Sequence, residues 1–280
     1  MGPPNQTDPV AALEATCRRA ATPCGDGTLV WRCWGAGPPV VLLHGGYGAW
    51  THWIRNIAAL AAGHSVIAPD LPGLGDSAMP AEPYTAESLA AVLVDGLPAV
   101  VSDDARPALV GFSFGGILGG HVAARLGKRI RALVLVGAGG FGPPQPPMSD
   151  LRRAEPGMDA AALARLQRDN LGILMFADPA HVDDLAVRLQ LAHTARARIR
   201  SRPIAWTDTL RRALPAVTAR VDAVWGEHDV TAQPYLAERI GMLREAQPAA
   251  RIEIVAGAGH WVQYEVAERF NALLRRLLAP

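Results

Sequence analysis

Ala108-Leu109-Val110-Gly111-Phe112-Ser113-Phe114-Gly115-Gly116-Ile117-Leu118 joins an apolar β-rich run to a helical one, with a serine between two glycines at the join. Gly-x-Ser-x-Gly in that setting is a sharp strand-to-helix turn that holds its serine in a strained backbone conformation. Gly111 and Gly115 leave the room that a close approach of strand and helix demands. The turn also sets Ser113 at a helix N-terminus, where developing negative charge is favoured. Taken alone, the five residues are an ordinary glycine-rich turn with a surface serine; the strand before and the helix after make Ser113 a candidate nucleophile.

Outward from that turn, strands and helices alternate. Apolar β-rich runs occupy residues 40–43, 66–68, 108–111, 132–136, 221–225 and 252–255. They read as buried parallel strands. Helical patterns at 86–101, 115–126 and 263–278 complete the rhythm of a parallel sheet covered on both sides. One connection is too long for that rhythm. Residues 139–212 carry no such strand, and they run through Gly-Pro-Pro-Gln-Pro-Pro at 142–147 into several helical patterns. We read 139–212 as a helical cap (lid) and residues 26–138 and 213–280 as an α/β core. Residues 1–25, polar and leading to the turn-like Cys24-Gly25-Asp26-Gly27, read as an N-terminal extension.

The 280 residues, half of them hydrophobic, suffice for one large α/β domain with an insertion. A net charge of +1 from 27 basic and 26 acidic residues gives no field suited to nucleic acid or an anionic membrane, so a small-molecule ligand is expected. No apolar run reaches membrane-spanning length, and the N-terminus lacks a basic start followed by an apolar core; a cytoplasmic location is expected. Cys17, Cys24 and Cys33 have neither metal-ligand spacing nor a disulfide framework and read as reduced thiols. No cofactor or metal is expected, and a homodimer is compatible with the sequence without being required by it.

A serine hydroxyl needs an imidazole to take its proton and a carboxylate to fix the tautomer of that imidazole. Of eight histidines, His260 alone follows a glycine-rich loop, Gly257-Ala258-Gly259, between a strand and the final helix. The acid is expected just past residues 221–225, where Gly226-Glu227-His228-Asp229 offers two carboxylates; Asp229 is favoured over Glu227. The preceding strand ends in Val136-Gly137-Ala138-Gly139 without a carboxylate, and Asp222 lies within a strand. His44-Gly45-Gly46-Tyr47-Gly48 sets a second glycine loop at the carboxyl edge of the sheet, where ligands bind in such folds. The N–H groups of Gly46 and Phe114 are the expected oxyanion donors, with Gly45 and Trp261 as pocket residues.

In this order, HGG at 44–46, GFSFGG at 111–116, GEHD at 226–229 and GAGHW at 257–261 resemble the α/β-hydrolase superfamily, in particular its serine esterase and carbon-carbon (meta-cleavage product) hydrolase branch, over nearly all of residues 28–280. The resemblance implies an α/β-hydrolase fold: a mostly parallel eight-stranded sheet covered by helices on both faces, with the cap inserted after the sixth strand. It implies acyl transfer to water, here cleavage of a small to medium carboxylic ester through an acyl-enzyme on Ser113, His260 and Asp229. A serine at the turn separates the chain from haloalkane dehalogenases and epoxide hydrolases, which have aspartate there. Carbon-carbon hydrolases of ring-cleavage products usually have asparagine before the serine, where this chain has Phe112, whereas Trp261 agrees with them. Cleavage of a vinylogous diketone acid is therefore the alternative, and a slow-turnover small-ligand receptor on the same fold is the alternative of another class.

Three features read as bystanders. Asp70-Leu71-Pro72-Gly73-Leu74-Gly75-Asp76-Ser77 resembles a loop of the same branch and is expected to form turns. Gly137-Ala138-Gly139-Gly140-Phe141-Gly142 satisfies a dinucleotide-binding spacing, but prolines follow where a helix should. Arg196, Arg198, Arg200 and Arg202 alternate through the cap as a solvated run would, with contact to an acidic substrate group as the sharper reading.

Overall fold

The computed structural model describes residues 8–146 and 150–279; residues 1–7 of the expected extension and Pro147 of the proline run lie outside the described residues. The chain forms α1 (Pro9–Thr16), β1 (Arg18–Cys24), β2 (Gly27–Trp34), β3 (Pro39–Leu43), α2 (Ile57–Ala61), β4 (Ser65–Pro69), α3 (Ala86–Gly96), β5 (Ala108–Phe112), α4 (Phe114–Leu126) and β6 (Ala132–Val136). Helices α5 (Ala160–Leu174), α6 (Asp184–Arg196), α7 (Arg202–Ala205) and α8 (Thr209–Ala213) intervene before β7 (Arg220–Gly226), α9 (Leu236–Ala246), β8 (Arg251–Val255), α10 (Val262–Glu265) and α11 (Ala267–Leu278).

One eight-stranded sheet runs β1-β2-β4-β3-β5-β6-β7-β8, antiparallel at β1/β2 and β2/β4 and parallel elsewhere. Successive side chains of a strand point to opposite faces. Leu109, Leu133 and Leu135 accordingly join one core with Leu93, Ile117 and Leu243, while Val110, Phe112 and Val134 join another with Ile57, Phe270 and Leu274. Five of the six apolar runs are thus strands buried on both sides; the sixth, 252–255, expected to be buried, is the edge strand β8, paired on one side by β7 with Ile254 exposed. In α11, Phe270, Leu273, Leu274, Leu277 and Leu278 recur at helical spacing and are buried, while Arg269, Arg275 and Arg276 face out.

The sheet begins earlier than the sequence suggests. Residues 18–24, expected within an extension, form β1 and pair along the whole of β2, from Arg18 opposite Cys33 to Cys24 opposite Gly27. The turn-like Gly25-Asp26 closes this hairpin, with Gly25 at φ 54°. Being an edge strand, β1 alternates exposed Arg19 and Pro23 with buried Thr22 and Cys24, so no apolar run announces it.

Arg32, buried in β2, ties this edge to the rest. Its guanidinium pairs with Glu14 of α1 at 2.6 Å, Asp70 at 2.9 Å and Asp76 at 2.5 Å. Asp70 also accepts from the Trp50 and Asp76 amides, so the 70–77 loop has the turn-forming role expected of it. No helix among the described residues is long and apolar enough to cross a membrane.

Candidate active site

Ser113 sits between β5 and α4 at φ 51° and ψ −111°, a region that non-glycine residues enter only under constraint. Its amide donates to the Val136 carbonyl of the neighbouring strand at 2.7 Å, which holds the turn closed. A Cβ on Gly111 would lie 2.4 Å from the Gly115 carbonyl oxygen, and one on Gly115 would lie 2.3 Å from that of Leu43. Backbone cannot yield there. Gly115→Ala is expected to destabilise the fold by about 3 kcal/mol, read as a lower urea midpoint; an unchanged midpoint would mean that the turn is looser than its contacts imply.

Two further loops reach the same edge of the sheet. The one after β7 carries Asp229, fully buried, and the one after β8 carries His260, 5 % exposed. His260 Nδ1 and Asp229 Oδ2 are 2.9 Å apart. The other carboxylate oxygen accepts from the Thr231 amide at 2.9 Å and from its hydroxyl at 2.7 Å. Burial would raise the Asp229 carboxyl; the charge of His260 and the hydrogen bonds from His260 and Thr231 outweigh it and hold the group below its ordinary value. Gly137, at φ 55°, makes room for the pair: a Cβ there would meet His260 Nδ1 at 3.0 Å and Asp229 Oδ2 at 3.1 Å. This is the role of the first glycine in the dinucleotide-like spacing.

The glycine loop after β3 is shaped from beneath by histidines. His52 Nδ1 accepts from the Gly45 amide at 3.1 Å, and His44 Nε2 accepts from the Leu71 amide at 2.9 Å. Burial pushes His52 well below its ordinary value, with neighbouring histidines adding to it, so the ring stays neutral and can accept. Among the described residues, neither the Gly46 amide nor the Phe114 amide donates to a protein acceptor. Gly46 has no room for a side chain, since a Cβ would lie 1.9 Å from Ser201 Oγ of the cap.

Ser113, His260, Gly45, Gly46, Phe114 and Thr231 all line one cavity of about 140 Å³, below the roughly 300–1,000 Å³ usual for drug-sized ligands. A wider cleft of about 990 Å³ adjoins it under the cap, sharing Gly46, Tyr47, Met175, Arg202 and Trp206.

Trp261 is not among the residues lining either space. Its ring is fully buried, stacked on Tyr264 at 4.2 Å, and its Nε1 donates to the His52 carbonyl at 3.0 Å; packing in the core replaces the pocket role expected of it. Glu227 points away from His260 and accepts from the Gly257 amide at 2.9 Å, and Asp222 pairs with Arg251 at 2.5 Å. Two of the cap arginines are committed elsewhere, Arg196 to Asp76 and Arg198 to the Ser77 carbonyl, while Arg202 reaches the cavity. Sequence reasoning missed Thr231, Glu265, Gln145 and Arg239. Glu265 has a fully buried side chain that accepts from the amides of Gly259 and Ala177, clasping the His260 loop to the cap.

A profile described as the alpha/beta hydrolase family matches residues 40–273. The chain belongs to that family. It is accordingly an enzyme of the serine-hydrolase type, on an α/β-hydrolase fold. A 2-hydroxymuconate semialdehyde hydrolase of Pseudomonas sp. is 30 % identical over 261 residues, 88 % of each chain. A 2-hydroxy-6-oxo-6-phenylhexa-2,4-dienoate hydrolase of Burkholderia cepacia is 27 % identical, covering 88 % of this chain and 89 % of the relative. Among solved structures, a Burkholderia cenocepacia protein described as an aryl esterase aligns with a TM-score of 0.74 at 26 % identity, over 93 % of this chain and 98 % of the other.

Proposed function

We propose that this hydrolase cleaves a small to medium carboxylic ester through an acyl-enzyme on Ser113, His260 and Asp229. The observation that carries the reading is the convergence, on one small cavity, of a serine at a strained strand-to-helix turn, an imidazole hydrogen-bonded to a buried carboxylate, and two unpartnered amides. With Nδ1 donating to Asp229, His260 keeps Nε2 as its basic nitrogen. Ser113 Oγ bonds to the ester carbonyl carbon as its proton passes to that nitrogen, and the carbonyl oxygen gains charge facing the Gly46 and Phe114 amides. Collapse breaks the bond to the leaving alcohol, which takes the proton from His260. A water then repeats the steps on the acyl-enzyme and frees the acid and the serine. Residues 139–212 act as the cap over this site, with Ser201, Arg202 and Trp206 forming its inner wall.

The test is hydrolysis of p-nitrophenyl esters from acetate to palmitate. Turnover is expected for the short acyl chains and is expected to fall as chains outgrow the cavity. Fast multiple turnover removes the receptor reading; no turnover by folded protein overturns the ester reading. The second reading, carbon-carbon cleavage of a vinylogous diketone acid, draws on the two relatives named as hydrolases of 2-hydroxymuconate semialdehyde and of 2-hydroxy-6-oxo-6-phenylhexa-2,4-dienoate. Bleaching of such a dienoate by this protein, with esters untouched, would establish it instead.

A further inference from the structure

The cavity holds a charge that the ester chemistry does not use. Arg239, on α9, is only 4 % exposed and lines the wall with Ser113, Thr231 and His260. Among the described residues no carboxylate lies within ion-pair distance of its guanidinium. Its one hydrogen bond to them runs from Nη2 to the Gln145 side-chain oxygen at 3.3 Å, and the buried Nε has no acceptor. Gln145 is itself held, its amide nitrogen donating to the carbonyls of Gly142 at 2.6 Å and Trp206 at 3.5 Å. A second cation, Arg202, lines the same cavity, and none of the lining residues is acidic.

A buried guanidinium is costly unless an anion meets it, and a planar fork of donors matches a carboxylate in two-point fashion. Burial alone pushes Arg239 down from its ordinary value, with only the charge of Asp229, already engaged by His260 and Thr231, acting the other way. The missing partner is therefore one that arrives with the ligand. We propose that Arg239, steadied by Gln145, binds a carboxylate on the substrate remote from the scissile carbonyl, so that the preferred substrates are half-esters of short dicarboxylic acids. This rests on the serine-hydrolase reading above and adds its substrate class. The carboxylate-binding group thus lies on a core helix beyond the acid loop, and of the alternating cap arginines Arg202 lines the same cavity.

The experiment compares kcat/KM, by pH-stat, for monoethyl succinate, glutarate and adipate against length-matched neutral ethyl esters, in wild type, Arg239→Gln and Arg239→Lys. Wild type is expected to favour one of the half-esters by about 30-fold. Arg239→Gln is expected to bring the ratio of charged to neutral substrate near one, chiefly through KM, and Arg239→Lys to restore part of it. Equal losses on charged and neutral esters, or a wild type with full turnover and no preference, would overturn the proposal. If no ester turns over at all, the ester reading fails by itself. Calorimetric binding of glutarate then decides this one: binding by wild type that Arg239→Gln loses supports it, and none by wild type refutes it.

Discussion

Ser113→Ala is expected to lower kcat roughly 10⁴- to 10⁶-fold on any short ester that wild type cleaves, with the fold intact. Alanine keeps the Cβ and removes only the oxygen, so the turn at φ 51° and its bond to the Val136 carbonyl are undisturbed. What disappears is the acyl-enzyme route, leaving the two amides and the cavity to act on water alone. The measurement is active-site burst kinetics beside thermal melting, and near-normal turnover by folded Ser113→Ala protein would remove Ser113 from the mechanism. The same geometry yields a companion result. Ser113→Gly, equally inactive, should be more stable than wild type by about 1 kcal/mol, because glycine alone occupies that backbone region without strain.

The strands that position this turn were legible because they are buried on both faces. β5 and β6 present apolar side chains to either core, so Ala108-Leu109-Val110 and Ala132-Leu133-Val134-Leu135-Val136 read as continuous runs. β1 and β2 were not legible as strands for the converse reason. They lie at the antiparallel edge, where Arg18, Arg19 and Pro23 face out, and where buried Arg32 is tolerated only because Glu14, Asp70 and Asp76, distant in sequence, converge on it. A burial that depends on partners up to 44 residues away leaves no local signature.

The site divides along the same line. Glycines at 45, 46, 111, 115 and 137 mark places where backbone, a reacting group or a packed side chain must come close, and steric exclusion acts wherever the chain goes. Thr231, Gln145, Arg239 and Glu265 are polar residues of loops and helices, which sequence pattern assigns to the surface; the fold alone turns them inward. Trp261 is the opposite case. Adjacency to His260 suggested the pocket, but at the entry to α10 consecutive side chains diverge, and the indole goes down onto Tyr264 and His52 while the imidazole stays at the cavity. Proximity in sequence placed the residue without giving its direction.

Direction also decides the second large effect. Asp229→Asn should cost about 10⁴-fold in kcat, whereas Glu227→Gln should change it only slightly. Both oxygens of Asp229 accept: Oδ2 from His260 Nδ1, and Oδ1 from the amide and hydroxyl of Thr231. An asparagine cannot satisfy both sides. With its NH₂ toward His260, the imidazole is forced to the tautomer whose Nε2 carries the proton and cannot take another from Ser113. With its NH₂ toward Thr231, two donors oppose each other in a buried site. Among the described residues the Glu227 carboxylate meets only the Gly257 amide and the exposed His228 ring, so losing its charge leaves the imidazole as it was. Acidification should separate the same proteins in stability. Because the Asp229 carboxyl titrates lower in the fold than in the unfolded chain, its stabilising contribution is full above the ordinary carboxylate range and is lost as pH falls through the lowered value. Urea midpoints of wild type and Asp229→Asn should therefore converge toward acid, while those of wild type and Glu227→Gln run parallel. A severe Glu227→Gln with a mild Asp229→Asn would move the orienting acid to Glu227 and require the His260 loop to turn toward it.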